Sequence, residues 1–238
     1  MSGLWIPRNQ RHMNGVRINR AHPAAAGLSA AFAFSEGVGA PRNLVADNTE
    51  YKETSSGVWD GSGYNLYDTA TQALRVRVAT TTNRSMLAGF WFPSSVQATA
   101  EQYVGVTGAA SWAPGDFIGL RVISGRLEAY DYAGEVNTVT LVPTPDVNTP
   151  YVSGQVTSWS GTSGGSLRAY LNGRSVGTSP MSIEAPYTGW NTYPAFHIGY
   201  QRGTLYNFAC FVAYYWDRAI APEAMQSLTS EPFQLLTR

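Results

Sequence analysis

Ser166-Leu-Arg-Ala-Tyr-Leu-Asn-Gly-Arg-Ser-Val-Gly-Thr178 is the stretch whose reading decides the fold. Side chains alternate faces along a strand, so Leu167, Ala169 and Leu171 share one face while Arg168 and Tyr170 share the other. Asn172-Gly173 lies between the two halves. A type I′ turn needs positive φ at both central residues, and Asn and Gly accept it at least steric cost. With those two in the turn, the expected pairs are Leu171 with Arg174, Ala169 with Val176 and Leu167 with Thr178. The apolar face then continues through Val176, and Tyr170 and the arginines face water or a partner. The pattern predicts a half-buried antiparallel hairpin.

Segments of the same kind fill the chain on both sides. Leu28, Ala30, Phe32 and Phe34 alternate with small residues in a first strand closed by Glu36-Gly-Val-Gly39, and Leu44–Asn48 is a short second segment. Leu74, Val76 and Val78 alternate with Arg75 and Arg77. Met86–Phe92 is apolar at nearly every position, as in a central strand covered on both faces. Gln102–Val106, Phe117–Ile123 and Arg126–Tyr132 follow, the last two joined by a tight Ser124-Gly125 turn. A Pro-rich link leads to Tyr151–Trp159. Beyond the hairpin come Ala195–Tyr200 and Tyr206–Trp216. In the latter, Phe208, Cys210, Val212 and Tyr214 are expected on one face and Phe211, Ala213 and Tyr215 on the other. Only Pro222–Leu228 reads as helix, with Pro at the first position, Glu223 in the first turn, and Met225 and Leu228 three apart. About ten to thirteen short strands and one small helix predict an all-β fold, an antiparallel jelly-roll sandwich. Leu167, Leu171, Val176, Phe208 and Val212 are its expected core residues.

Composition narrows the function classes. The 24 Gly and 13 Pro of the 238 residues are spread as turn punctuation, without a compositional break. The formal net charge is zero, so no global field points to nucleic acid. Charged residues make up 13%, against about 25% in an average soluble protein. That suits a protein packed against partners or working outside a cell. Cys210 is the single cysteine, which excludes a disulfide framework and a thiolate metal site. In its apolar strand it reads as a packed, inert thiol. No apolar run nears the roughly 20 residues of a membrane span. Arg17, Arg20 and His22 before apolar Ala24–Phe34 imitate a secretion signal, but Pro23 sits awkwardly at its start, and the segment is expected to be retained.

Three divisions follow: a basic N-terminal arm (1–23), one jelly-roll domain (24–230) and a C-terminal tail (231–238). The arm carries Arg8, Arg11, Arg17 and Arg20 with no acid before Glu36, and Leu4, Trp5, Ile6, Val16 and Ile18 are interleaved with them. Trp and Arg dominate interface energetics, so the arm, through Trp5, Arg8, Arg11, Arg17 and Arg20, is expected to dock on an acidic partner surface. The alternative is an arm packed on its own sheet.

Longer motifs resemble a known family. Gly27-Leu-Ser-Ala-Ala-Phe-Ala-Phe-Ser-Glu-Gly37 with Asn43-Leu-Val-Ala-Asp47, Met86-Leu-Ala-Gly-Phe-Trp-Phe-Pro-Ser-Ser95, the hairpin from Leu167 to Gly177, Phe196-His-Ile-Gly199, and Phe211–Leu228 resemble, in order, concanavalin A-like, laminin-G-like jelly-roll domains. The ends, Leu4-Trp-Ile-Pro-Arg8, Asn19-Arg-Ala-His-Pro23 and Ser230-Glu-Pro-Phe-Gln-Leu-Leu236, are similar to laminin-G-like proteins encoded among tailed-phage structural genes. The resemblance implies a virion location and a role as capsid decoration or accessory head protein. The major capsid protein or another virion protein would be the partner, and the protein would be a homo-oligomer on the particle. A tail adhesin is a further role in that class.

Catalysis is weighed against these. Retaining glucanases of the superfamily carry Glu-x-Asp-x-x-Glu on one strand. The nearest match here is Glu128, Asp131 and Glu135. On a strand Glu128 and Asp131 point to opposite faces and cannot flank one glycosidic bond as carboxyls about 5–5.5 Å apart must. They read as solvated hairpin charges, so Glu128→Gln and Asp131→Asn are expected to leave stability and function almost unchanged. Asp47-Asn48-Thr-Glu50 is the only dense oxygen cluster and matches no calcium motif. No metal or cofactor is expected. His197 reads as packed or interfacial. Trp112, Trp159, Tyr187, Trp190 and Tyr193 lie in loops or at strand ends, where aromatics stack on sugars or bury at an interface. The expectation is a non-enzymatic virion protein that binds neither nucleic acid nor membrane. A carbohydrate-binding adhesin recognising a host surface glycan is the first alternative, and a glycan hydrolase the second.

Overall fold

The computed structural model describes residues 15–34, 41–46, 49–51, 58–60, 63–66, 74–78, 81–92, 101–108, 118–132, 136–160, 164–181, 195–202 and 208–237. In chain order the strands are β1 (Arg17–Ile18), β2 (Leu28–Phe32), β3 (Thr49–Tyr51), β4 (Val58–Asp60), β5 (Gly63–Leu66), β6 (Leu74–Arg77), β7 (Arg84–Trp91), β8 (Glu101–Gly108) and β9 (Ile118–Ile123). Then come β10 (Arg126–Tyr132), β11 (Val136–Val142), β12 (Tyr151–Trp159), β13 (Gly165–Leu171), β14 (Arg174–Met181), β15 (Ala195–Arg202), β16 (Phe208–Trp216), the helix α1 (Pro222–Ser230) and β17 (Leu236–Thr237). Among the described residues no helix is long and apolar enough to cross a membrane.

Two antiparallel sheets face each other. One runs β11-β10-β9-β8-β15-β6-β3, the other β14-β13-β12-β7-β16-β5-β4, with β2 pairing the second half of β16. The space between them is filled by Met86, Ala88 and Phe90 of β7, Leu167 and Ala169 of β13, Leu120, Leu127 and Ala129 opposite, and Phe196 stacked on Tyr215. Burying each such large side chain contributes about 1.5–3 kcal/mol. A second apolar layer lies on the other face of the β7 sheet. There Leu87, Val152, Val156, Tyr170, Tyr214 and Trp216 are covered by Met225 and Leu228 of α1, by Ile18, and by Leu235. The β7 sheet is therefore buried on both faces, which is why Arg84–Phe90 is buried without a break and reads as an apolar run.

The Asn172-Gly173 turn forms as expected, with φ of 47° and 81°. Its register does not hold. Leu171 pairs with Arg174 and Tyr170 with Ser175, but Ala169 pairs with Gly177 and Leu167 with Ser179. Val176 is the extra residue of a β-bulge and is 40% exposed, so it is not a core residue. A bulge switches the faces beyond it. Tyr170 also departs from expectation: it is buried against the α1 layer, while Arg168 and Arg174 are exposed.

A second bulge lies between Cys210 and Val212 of β16. It leaves Cys210, Ala213 and Tyr215 in the inter-sheet core and puts Phe211, Val212, Tyr214 and Trp216 on the α1 side. Strict alternation cannot reveal this. Gly89 permits it: a Cβ there would lie 2.6 Å from Phe211 Cζ and 2.7 Å from Val212 Cγ1. Leu167 is fully buried and Leu171 packs partly buried on the core. The side chain of Phe208 lies outside the described residues. β11 falls in a stretch read as a link. Its outward face carries the exposed Val136 and its inward face the buried Asn137, against the polarity expected of each, and it pairs with β10 at the sandwich edge.

Candidate functional site

The carboxylates singled out by the sequence stand on β10. Leu127, Ala129 and Asp131 face inwards and Glu128 and Tyr130 outwards, so the expectation of opposite faces holds. The expectation of solvated charges does not: Asp131 is 0% and Glu128 4% exposed.

Asp131 is closed in by the facing sheet. Thr157 Oγ1 of β12 donates to Oδ2 at 2.8 Å, and the guanidinium of Arg84 approaches both carboxylate oxygens at 3.5 Å. Arg84 begins β7 in phase with the buried Met86, Ala88 and Phe90 and is directly paired with Thr157. The charge reaches the interior because the strand alternation carries it there. Burial raises the Asp131 pKa above the ordinary carboxylate value, against the opposing pull of Arg84 and Thr157. Next along β12, Gln155 Nε2 donates to the Tyr130 carbonyl at 3.3 Å.

Glu128 sits directly opposite Arg121 of β9. Arg121 Nε and Nη2 both donate to Glu128 Oε2, at 3.3 and 3.2 Å, and Arg126 Nη2 lies 3.4 Å from Oε1. The Arg121 guanidinium also stacks 3.9 Å above the Tyr130 ring. This cross-strand pair with a diagonal cation–π contact is the ordinary way a sheet face satisfies its charges. Glu135 lies outside the described residues.

The terminal segments form the third region. β1 and β17 pair as a short ribbon, Arg17 with Thr237 and Ile18 with Leu236, and Asn19 N–H donates to the Leu235 carbonyl at 2.8 Å. His22 caps the 3-10 turn Pro23–Ala25 by accepting from Ala24 N–H, and its Nε2 lies 3.3 Å from Gln234 Oε1. Trp216 Nε1 donates to the Ala24 carbonyl at 2.6 Å, and Arg218 holds the Ala26 and Pro23 carbonyls. Residues 15–26 are thus packed on their own body, with Val16, Ile18, Ala24 and Ala25 buried and Arg17 and Arg20 exposed. Trp5, Arg8 and Arg11 lie outside the described residues. Leu28–Phe32, inside the stretch that imitates a secretion signal, is paired strand β2.

Of the loop aromatics, Trp159 is described. It ends β12 partly buried against the inter-sheet core, its ring over Gly165. Trp112, Tyr187, Trp190 and Tyr193 lie outside the described residues, as do Asp47 and Asn48. His197 stands on β15 opposite Arg75 and Val106. Burial pushes the Cys210 thiol pKa well up, which keeps it protonated and unreactive. Among the described residues no group of three or more His, Cys, Asp or Glu is placed to hold a metal ion.

Sequence reasoning missed Arg84, Arg121, Thr157 and Gln155. A signal for Arg84 was present: a charge in phase with the buried face of a central strand requires a buried counter-charge, and Asp131 is in phase with Leu127 and Ala129.

No family model matches the chain, and no curated protein matches it. Solved structures of similar fold include a Trypanosoma rangeli sialidase in complex with 2,3-difluoro-KDN, at 12% identity and a TM-score of 0.65, matching 95% of this chain and 38% of that one. The binding domain of botulinum neurotoxin DC in complex with SialylT matches at 10% identity and 0.58, over 86% and 51%. A botulinum neurotoxin type C structure, whose cell entry depends upon interaction with two ganglioside molecules, matches at 10% and 0.59, over 85% and 50%. The chain spans between about a third and a half of the length of these structures. They share an antiparallel β-sandwich with it.

Proposed function

We propose that this chain is a non-enzymatic surface protein of a tailed-phage particle, a capsid decoration or accessory head protein that docks through basic residues of its N-terminal segment. The observation that carries this reading is the alternation at residues 16–20. Val16 and Ile18 are buried in the terminal layer, while Arg17 is exposed beside β17 and Arg20 is exposed in the turn that follows. The segment is held by its apolar residues and presents its cations outwards, as a docking element for an acidic coat surface must. Resemblance of the end motifs to phage structural proteins supports a phage particle as the location. The sealed state of Asp131 and the cross-strand bonding of Glu128 support a role without hydrolysis.

The test respects the anchored residues. A variant lacking residues 2–14 and carrying Arg17→Glu and Arg20→Glu keeps Ile18 and the 3-10 turn, and should fold. It should no longer cosediment with particles that the intact protein decorates, and added salt should weaken attachment of the intact protein. Full occupancy by the variant would refute arm-mediated docking.

A second reading is a glycan-binding adhesin. It is supported by the SialylT complex and the ganglioside dependence among the proteins of similar fold. Binding to a glycan array with no affinity for particles would favour it over the first.

A further inference from the structure

The interior row of β12 reads Tyr151, Ser153, Gln155, Thr157. It is polar along its middle although its neighbours are apolar: Ser153 lies between Ala88 and Leu171, and Gln155 between Met86 and Ala169. Ser153 is 0% and Gln155 1% exposed. Thr157 is satisfied by Asp131, and the Gln155 amide nitrogen by the Tyr130 carbonyl. That carbonyl can only accept, so the amide cannot be turned over, and Gln155 Oε1 points away from it. Among the described residues, neither Gln155 Oε1 nor Ser153 Oγ has a hydrogen-bond partner. Leaving a buried polar group unmade shifts the folding equilibrium by about tenfold or more, and two such groups on one row of one strand call for a shared partner.

Residues two apart on a strand are separated by about 6.6 Å. A water accepting from one group and donating to another spans at most about 5.6 Å between them, so the bridge requires Gln155 Oε1 to incline towards Ser153 while Nε2 stays on the Tyr130 carbonyl. The hydroxyl supplies a donor and the amide oxygen an acceptor, the minimum set that retains a buried water. We propose that the sandwich holds a resident water bridging Ser153 Oγ to Gln155 Oε1, continuing the polar line from Arg84 and Asp131 through Thr157 and Gln155. The site takes a neutral, water-sized hydrogen-bonding molecule. It is independent of the docking function proposed above.

Ser153→Ala removes the hydroxyl without adding volume. With the water present, the folding constant in urea titration should fall about fivefold, the weight of one net hydrogen bond. The number of long-lived internal waters, read by oxygen-17 relaxation dispersion on the full chain, should fall by one. If the row is dry, the substitution deletes an unpaired buried hydroxyl and stability rises. Either a rise in stability or an unchanged number of long-lived waters overturns the proposal.

Discussion

Asp131 and Glu128 stand three residues apart on one strand, each bonded to arginine, yet they live in different media. Asp131 meets Arg84 between two sheets with no exposed surface, whereas Glu128 meets Arg121 on an outer sheet face with Arg126 half exposed beside it. The same ion-pair chemistry therefore has two meanings. Inside, desolvation dominates and each partner is needed to neutralise the other. On the outer face, the aromatic ring of Tyr130 and a second arginine share the load, and only the contact of the half-exposed Arg126 is open to screening. The lesson is that the facing layer, more than the residue pair, sets the energetic weight.

The largest effect should come from breaking the inner pair on its acidic side. Asp131→Leu leaves a guanidinium that cannot lose its proton, and should cost about 3–5 kcal/mol in urea titration. Arg84→Met with Asp131→Leu should recover most of that loss. If the double variant is no better than the single one, the pair does not act as a unit.

Acidity sharpens the contrast next. The folded Asp131 carboxyl is held above the ordinary value of about 3.9 by burial. As pH rises from about 4 through the raised value, the folded protein must release a proton that the unfolded chain has already lost. The contribution of this group to stability therefore falls with rising pH. Arg84→Met removes the opposing pull, so the slope should steepen in that variant and vanish in Asp131→Leu. Stability measured across weakly acid pH in the three proteins checks the sign.

Glu128→Gln should cost less, about 1 kcal/mol, because the amide oxygen still accepts from Arg121 and the cation–π contact remains. A loss equal to that of Asp131→Leu would erase the distinction between the two regions. Smallest of all is Arg126→Ala, expected to change stability by under about 0.5 kcal/mol, with the difference shrinking further in high salt. A larger, salt-insensitive loss would mean that Arg126 is packed more than paired.

Local pattern made much of the fold legible. The apolar run around Met86–Phe92 announces a strand buried on both faces, and Asn172-Gly173 and Ser124-Gly125 announce their turns through positive φ, observed at all four residues. The opposite faces of Glu128 and Asp131 also follow from alternation alone. The burial of both does not, because it depends on what the other layers place over them. Val176 was misassigned for a different reason: a bulge inserts one residue into the count and reverses every face beyond it, whereas Val212 is buried as expected, on the α1 side of its sheet. β11 was missed because an exposed Val136 and a buried Asn137 blur its alternation.

For the candidate site, the residue types of the basic segment were plain in the sequence, and so was the mixing of arginine with apolar residues. Which of them are anchored was decided in three dimensions, where Ile18 meets Leu235 and Leu236 from the far end of the chain. The sequence by itself determined strand class, turn positions and the charge of each segment, since these depend on near neighbours and on a period of two. Tertiary structure alone decided the bulges, the α1 layer that buries Tyr170, and the meeting of Arg84 with Asp131 across 47 positions. Those outcomes rest on packing between sheets, where one added residue or one missing Cβ changes which surface a side chain meets.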